Sequence, residues 1–290
     1  GEGRRPCVYG NSCELGCPTG AKASTDITYW PPAILSGVEL RTHARVKELR
    51  VGDDGRIEAA VYYKDGELQE QRARLFVLAC NGIGTPRLLL NSASSRFKDG
   101  LANSSGQVGK NLMLHPSVFV TGYFDQRLQS NHGPTSVCVY SHHFYETDHS
   151  RDFVRGYQMQ VTRDSGPLWT SLGGTHGQSV PWGTRHHEIF AGRFNHGITV
   201  AAVCEDLPEE HNSVTLDQTL TDSDSIPSPM VTYRIGDNTN KMLDHATAKA
   251  TELMDAAGAR EIIVARVPRL RGWHQMGTGR MGNDPQQSVV

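Results

Sequence analysis

Three of the six cysteines fall close together, at Cys7, Cys13 and Cys17 in the segment CVYGNSCELGCPTGAK. Clustered thiolates can bind zinc or an iron–sulfur cluster, or they can have a structural or disulfide role. A disulfide framework would leave one of the three thiols over, and zinc would need a fourth ligand from elsewhere, such as a histidine. Three thiolates also fit a three-iron cluster, and the nearby glycines would let the backbone approach its sulfides. The spacing by itself leaves these alternatives open.

Of the thirteen histidines, His274 has the most informative neighbours, because Trp273 precedes it and a glycine-rich turn at 277–282 follows it. A neutral imidazole held there could accept a proton from a bound alcohol, and a purely structural role for the ring is the alternative. The turn matches G-x-G-x-x-G, but no strand-and-helix context surrounds it and Pro285 follows closely. It is therefore interpreted as a turn that supports the histidine, and not as a dinucleotide-phosphate loop.

Composition limits the possible classes of protein. The 290 residues carry a formal charge of −2, which does not favour a surface for nucleic acid or anionic membranes. No run approaches the roughly 18 apolar residues that a membrane span needs. The chain begins at Gly1 without a methionine and ends abruptly, so we expect a fragment truncated at both ends. The other cysteines lie in apolar runs and are expected to be buried thiols: Cys80, Cys138 and Cys204.

The elements that must position these residues are predicted from hydrophobic periodicity and turn signals. Strands are expected over 38–51, 57–64, 72–80, 118–124 and 261–267, with an antiparallel sheet within about 126–235. A short helix is expected over 87–93, with Pro86 near its first turn, and a long helix over 239–257, with Gly258 as its C-cap. Residues 1–30 are expected to form a loop. The mixture indicates a fold of the α/β and α+β classes.

Four segments together resemble the glucose–methanol–choline (GMC) family of flavin oxidoreductases. They are RARLFVLACNGIGTPRLLLNS at 72–92, GLANSSGQVGKNLMLHP at 100–116, a stretch at 206–234 that begins DLPEEHNSVTLD, and GWHQMGTGRMGNDPQQSVV at 272–290. The resemblance implies an FAD-binding domain that is interleaved with a substrate domain built on an antiparallel sheet. Residues 1–125 would then belong to the FAD-binding domain, 126–235 to the substrate domain, and 236–290 to a helix and histidine segment that returns to the first domain.

The same resemblance implies roles for particular residues. Family members oxidise alcohols by hydride transfer to the flavin, and His274 matches their active-site histidine in the H-x-x-G-T segment. Val46 matches a valine whose backbone meets the flavin adenine. The cofactor-side turn would comprise Asn81, Gly82, Thr85 and Pro86, although Asn-Gly stands where the family usually has Gly-Ala.

Within the family, the cysteine spacing is similar to that of bacterial membrane-associated sugar dehydrogenases, including glucose, gluconate and fructose dehydrogenases. This similarity implies a 3Fe-4S cluster on Cys7, Cys13 and Cys17, and a sugar, sugar-acid or polyol substrate. It also implies electron transfer to a cytochrome c or a quinone, and a small chaperone-like subunit as a further possible partner. The expected location is the periplasmic face of the inner membrane, as a peripheral subunit, with a cytoplasmic location as the alternative. A GMC oxidase or dehydrogenase without a cluster, and a non-catalytic remnant, are the alternative functions.

Overall fold

The computed structural model describes residues 4–13, 15–134, 137–163, 166–173, 180–266 and 274–290. Within these ranges the helices are α1 (Thr25–Thr28), α2 (Trp30–Leu35), α3 (Asn81–Asn91), α4 (Pro167–Ser171), α5 (Thr184–Arg193) and α6 (Asp237–Ala256). The strands are β1 (Ala44–Val51), β2 (Ile57–Lys64), β3 (Glu67–Arg72), β4 (Ser117–Tyr123), β5 (Val137–Ser141), β6 (Tyr157–Arg163), β7 (Gly197–Cys204), β8 (Ser213–Thr221), β9 (Pro227–Thr232) and β10 (Glu261–Arg266). In the part of the chain so described, no helix is long and apolar enough to cross a lipid bilayer.

The chain divides into two compact units, each assembled from three separate stretches of sequence. The first unit comprises Gly1–Leu40, Pro116–Glu205 and Asp237–Arg271. The second unit comprises Arg41–His115, Asp206–Gly236 and Gly272–Val290. The mixture of helices with antiparallel sheets in interleaved units confirms the predicted fold class. The assignment of 1–125, 126–235 and 236–290 to cofactor, substrate and return segments stays a prediction.

The first unit is built on a five-stranded sheet with the strand order β10-β4-β7-β6-β5. Every neighbouring pair in this sheet is antiparallel. Its central strands are rich in β-branched residues, which suit a pleated, buried surface, and Val118, Val120 and Val200 are almost completely buried. The strands predicted over 118–124 and 261–267 are therefore present as β4 and β10, and Val267 lies outside the described residues.

Helix α6 covers one face of this sheet because its apolar residues recur every three or four positions. The helix packs against β4 and β7. Its buried apolar stripe consists of Met242, Leu243, Ala246, Ala250 and Met254. Gly258 follows in the left-handed conformation, with a φ of 82°, and its N–H donates to the Asp255 carbonyl. The predicted long helix and its glycine cap are thus confirmed.

The second unit contains the antiparallel sheet β1-β2-β3 and the separate pair β8-β9. Helix α3 packs against β1, β8 and β9. A buried cluster beneath the helix consists of Leu49, Leu89, Leu101 and Val108. The strand predicted over 57–64 coincides with β2, whereas only the second half of the strand predicted over 38–51 forms, as β1.

The prediction of a strand over 72–80 is wrong. The third strand of the sheet is β3, which ends at Arg72. In residues 75–78 the side chains still alternate between the core and solvent. Phe76 and Leu78 pack on the buried cluster that contains Leu49, whereas Leu75 and Val77 are 79% and 81% exposed. Alternation identifies an extended segment, but a strand also requires a hydrogen-bonded neighbour. None of the described strands pairs with this segment.

The helices differ from the prediction at three places. Helix α3 begins at Asn81 and not at 87, so Pro86 lies inside the helix and not in its first turn. Residues 1–30, predicted as a loop, contain α1 and the beginning of α2. Helices α4 and α5 were not predicted. Because α1, α2 and α5 bury none of their residues, they lack the apolar stripe from which a helix is recognised in sequence.

Asp222 joins three elements of the second unit through both carboxylate oxygens. Oδ2 accepts hydrogen bonds from Arg87 of α3 at 2.8 Å and from Arg45 of β1 at 3.1 Å. Oδ1 accepts from the backbone N–H groups of Asp224 and Ile226, in the turn between β8 and β9. Burial acts to raise the pKa of this carboxyl group, but the hydrogen bonds outweigh it and lower the pKa to about 2. The ionised carboxylate therefore stabilises the contact of α3 with its neighbours.

Replacing Asp222 by Asn should lower the free energy of unfolding at pH 7 by about 1–3 kcal/mol, because charged hydrogen bonds are lost. The folded-state pKa lies below the ordinary value of 3.8, so this stabilisation is present above that value and is lost as the pH falls towards about 2. The stability difference between parent and variant should therefore shrink over that interval. Urea unfolding at pH 7 and near pH 3 measures the difference.

Asp224→Asn is the matched control, since Asp224 makes a surface ion pair with Arg45 at 3.1 Å. Such a pair contributes about 1 kcal/mol or less. Equal destabilisation by the two substitutions would contradict the role assigned to Asp222.

Candidate active site

The segment that carries His274 pairs with the segment that precedes His115. Met113 and Met276 exchange two backbone hydrogen bonds, at 2.9 and 3.1 Å, and the Gly109 N–H donates to the Thr278 carbonyl at 2.9 Å. The two segments run antiparallel at this bridge. A short ladder of backbone hydrogen bonds thus determines where His274 lies.

Gly277 makes this pairing possible. Its φ is 92°, a left-handed conformation that glycine adopts readily, and a Cβ atom there would lie 1.9 Å from the Asn111 carbonyl oxygen. No side chain fits in that space. The structure therefore bears out the interpretation of 277–282 as a turn that supports the histidine, and no helix follows the turn in the described residues up to 290.

His274 and His115 are hydrogen-bonded to each other. Their Nδ1 atoms lie 2.9 Å apart, and the ring planes meet at 82°. His274 is exposed and has a φ of 55°, which is uncommon for a residue with a side chain. The sequence predicted a catalytic role for His274 and none for His115. Trp273, the other predicted neighbour of His274, lies outside the described residues.

The predicted cofactor-side residues form the N-terminal end of α3. Asn81 has a φ of 60°, and its Oδ1 accepts hydrogen bonds from the backbone N–H groups of Ile83 and Gly84, at 2.9 and 3.1 Å. The Thr85 hydroxyl accepts from the Cys80 N–H at 3.3 Å. Side-chain oxygens thus satisfy amides at the start of the helix.

Pro86 leaves a carbonyl of α3 without its helical partner, and the His274 segment supplies a replacement. A proline has no N–H, so it cannot donate to the carbonyl four residues earlier, that of Gly82. The buried Thr278 hydroxyl donates to this carbonyl at 2.7 Å. A Cβ atom at Gly82 would lie 2.8 Å from the backbone of Gln275, so only glycine permits this approach. The segment that carries the predicted base therefore contacts α3 at Gly82, one of the predicted cofactor-side residues.

Val46 lies on β1 of the same unit, with 42% of its surface exposed. The pairing of β1 with β2 shifts between Val46 and Glu48, so the strand has an irregularity immediately after Val46. Such irregularities are common beside binding sites because they interrupt the ladder and redirect the chain.

The cysteine loop provides hydrogen-bond donors to sulfur. The Tyr9 N–H donates to Cys7 Sγ and the Ala21 N–H donates to Cys17 Sγ, both at 3.3 Å. A hydrogen bond with the Thr19 side chain, followed by backbone N–H groups, lowers the pKa of Cys17 to about 7. Among the described residues, no three or more His, Cys, Asp or Glu side chains are gathered so that they could hold a metal ion. The donor chemistry therefore suits thiolate ligands, although the three sulfurs do not form one ligand set.

The cysteines outside the loop differ from the prediction. Cys204 is buried as expected, but Cys80 and Cys138 are exposed. Cys80 directly precedes α3, where the chain turns into the helix, and Cys138 lies on the edge strand β5. The apolar residues around a cysteine in sequence did not reveal that its own side chain points to solvent.

Comparisons with known proteins identify the family to which the chain belongs. Two family models described as GMC oxidoreductase match the chain, the N-terminal one at residues 4–117 and the C-terminal one at 208–290. A 2-methyl-1,2-propanediol dehydrogenase of Mycolicibacterium austroafricanum is 39% identical over all of this chain and 53% of its own length. The fructose dehydrogenase large subunit of Gluconobacter japonicus is 29% identical over all of this chain and 52% of its own.

A third relative is named as an oxidase. The 6'''-hydroxyparomomycin C oxidase of Streptomyces lividus is 28% identical over 99% of this chain and 50% of its own length. The chain thus spans about half the length of the curated relatives it matches. The matched part includes both the His274 segment and the N-terminal end of α3.

Replacing Thr278 by Val should lower the free energy of unfolding by about 1–3 kcal/mol, because the Gly82 carbonyl loses this donor while it remains buried. Thr278→Ser is the matched control. It retains the hydroxyl group and should cost only about 1 kcal/mol for the missing methyl group. Urea unfolding measures both effects. A Val variant as stable as the Ser variant would show that the hydroxyl bond contributes little.

Proposed function

Because the chain belongs to the GMC oxidoreductase family, we propose that it oxidises an alcohol group of a sugar, sugar acid or polyol, with FAD as the hydride acceptor. One observation carries this proposal: the segment bearing His274 lies against the N-terminal end of α3, through the Thr278–Gly82 hydrogen bond and the close approach of Gln275. The proposed proton acceptor would therefore lie near the residues expected beside the flavin. The relatives named above act on a diol, on fructose and on a hydroxyparomomycin, which supports a hydroxylated substrate class.

The residues divide the chemistry between them. His274 takes the hydroxyl proton, since an exposed imidazole can accept it on the ring nitrogen that faces the substrate. FAD, when bound, supplies the acceptor for the hydride that leaves the alcohol carbon. Asn81, Gly82, Thr85 and Pro86 would hold the flavin side of the cofactor, and Val46 would meet its adenine. The hydrogen bonds that Asn81 accepts at the start of α3 fit the first assignment, and the interrupted β1–β2 pairing next to Val46 fits a backbone contact with adenine.

A second element of the proposal is a 3Fe-4S cluster on Cys7, Cys13 and Cys17, whose sulfurs would have to come together from the positions they have in the structure. The observation in its favour is the pair of backbone N–H groups that donate to Cys7 and Cys17, since hydrogen bonds to sulfur are typical of cluster-binding loops. Hydride removal delivers two electrons at once, whereas clusters carry one at a time. A one-electron acceptor such as cytochrome c therefore suits an enzyme that contains a cluster, and a quinone is the alternative acceptor.

The proposal of a cluster extends to a partner and a location, because both are implied by the same similarity to sugar dehydrogenases. The partner would be a small chaperone-like subunit, and the location would be a peripheral position at the periplasmic face of the inner membrane. Cell fractionation would distinguish this location from the cytoplasm. The alternative functions are those of a GMC enzyme without a cluster and of a non-catalytic remnant. An absorption spectrum distinguishes the three cases. Flavin bands alone would favour the enzyme without a cluster, additional broad absorption at about 400 nm would favour the cluster, and the absence of both would favour the remnant.

Replacing His274 by Ala should slow flavin reduction by substrate about 10²- to 10⁴-fold, because the alcohol proton loses its acceptor. Rapid mixing of the flavin-loaded enzyme with substrate measures the rate. His211→Ala is the control, since this exposed histidine lies in the same unit but outside the site. A folded, flavin-loaded His274→Ala enzyme within about threefold of the parent rate would contradict the assignment.

Replacing Cys13 by Ser should remove iron and acid-labile sulfide together, because a three-iron cluster needs all three thiolates. Substrate should still reduce the flavin, whereas reduction of cytochrome c should fall. Metal and sulfide analysis beside the two rate measurements tests this. Cys138→Ser, an exposed cysteine outside the loop, is the matched control and should retain its iron. Full iron content in the Cys13 variant would exclude the cluster.

A further inference from the structure

The hydrogen bond between His115 and His274 constrains the protonation of both rings. Their Nδ1 atoms are 2.9 Å apart, so one ring donates its Nδ1–H and the other accepts with an unprotonated Nδ1. Two rings that both carried Nδ1–H would point two donors at each other. The pair therefore has two arrangements, which differ in the ring that donates.

Only one of these two hydrogen-bonding arrangements is compatible with the proposed reaction. For His274 to take the hydroxyl proton on Nε2, this nitrogen must be unprotonated before the reaction, so the ring proton must sit on Nδ1. The Nδ1–H then donates to His115, which accepts on Nδ1 and carries its own proton on Nε2. We propose that His115 is a positioning residue that fixes the Nδ1–H tautomer of His274 and leaves Nε2 as the base. This inference rests on the proposed function.

The arrangement remains intact through the reaction. The O–H bond of the alcohol breaks, an N–H bond forms at His274 Nε2, and the hydride leaves the alcohol carbon for the flavin. His274 is then an imidazolium, whose Nδ1–H still donates to the neutral His115. A hydrogen bond from a charged donor is about twice as strong as one between neutral groups, so the contact strengthens as the charge forms.

The backbone keeps the two rings in this contact. His115 precedes Pro116, which restricts it to extended conformations. His274 has a φ of 55°, which is uncommon for a residue with a side chain and persists where neighbouring contacts enforce it. The Met113–Met276 bridge, two residues from each histidine, is such a contact. The backbone pairing therefore holds the two histidines close enough for their rings to meet.

The first test reads the tautomer directly and does not depend on activity. Long-range proton–nitrogen correlation spectra of the flavin-loaded, ¹⁵N-histidine-labelled enzyme are recorded without substrate at about pH 8, above the ordinary imidazole pKa. The His274 signals are identified by their loss in His274→Ala. We expect a protonated Nδ1 and an unprotonated Nε2, and a shift towards the Nε2–H form in His115→Leu. A protonated Nε2 in the parent enzyme would overturn the proposal.

The second test uses a conservative variant. His115→Leu removes the acceptor and should slow flavin reduction about 10²-fold or more, with substrate affinity little changed. His115→Asn places an amide oxygen near the former Nδ1 and should recover most of this loss. His211→Leu is the control and should match the parent. Equal loss in the Leu and Asn variants would overturn the proposal. If His274→Ala reduces its flavin normally, the proposed function fails, while the tautomer measurement still gives its own result.

Discussion

Pro86 inside helix α3 leaves the Gly82 carbonyl without its helical donor, and the placement of the His274 segment depends on how that donor is supplied. Pro86 cannot donate to the Gly82 carbonyl, and this carbonyl is buried, so a donor must come from outside the helix. Thr278 supplies it at 2.7 Å. The bond connects residues 196 positions apart in sequence, and it places the segment of His274 against the end of α3 that carries the predicted flavin contacts.

Two further features keep this contact in register. Gly277 has no Cβ and therefore admits the Asn111 carbonyl, which lets the 109–113 segment pair with the His274 segment. On α3 itself, Arg87 follows Pro86 directly and donates to Asp222 and to the Pro227 carbonyl. The helix is thus bound to the His274 segment through Gly82 and to the β8-β9 pair through Arg87. Loss of either contact is therefore expected to shift α3 relative to the His274 segment or to the β8-β9 pair.

The sequence was informative where the signal is local. The stripe of α6, the β-branched strand β4 and the turn at 277–282 depend on residues close in sequence, and each was predicted. The strand over 72–80 failed because strand formation depends on a neighbour, and local alternation does not report one. The start of α3 was misplaced because Pro86 was assigned to a first turn, while the donor that allows it inside the helix lies at Thr278. His115 was undervalued because its partner is 159 residues away.

The two kinds of chemistry lie in different units. His274, His115, Asn81 and Gly82 all belong to the second unit, whereas the cysteine loop belongs to the first. The contacts that place His274 beside α3 involve no residue of the cysteine loop. The proposed proton acceptor and the proposed flavin contacts would therefore be retained whether or not the loop binds a cluster. This separation is consistent with a family whose matched relatives are named as both dehydrogenases and an oxidase.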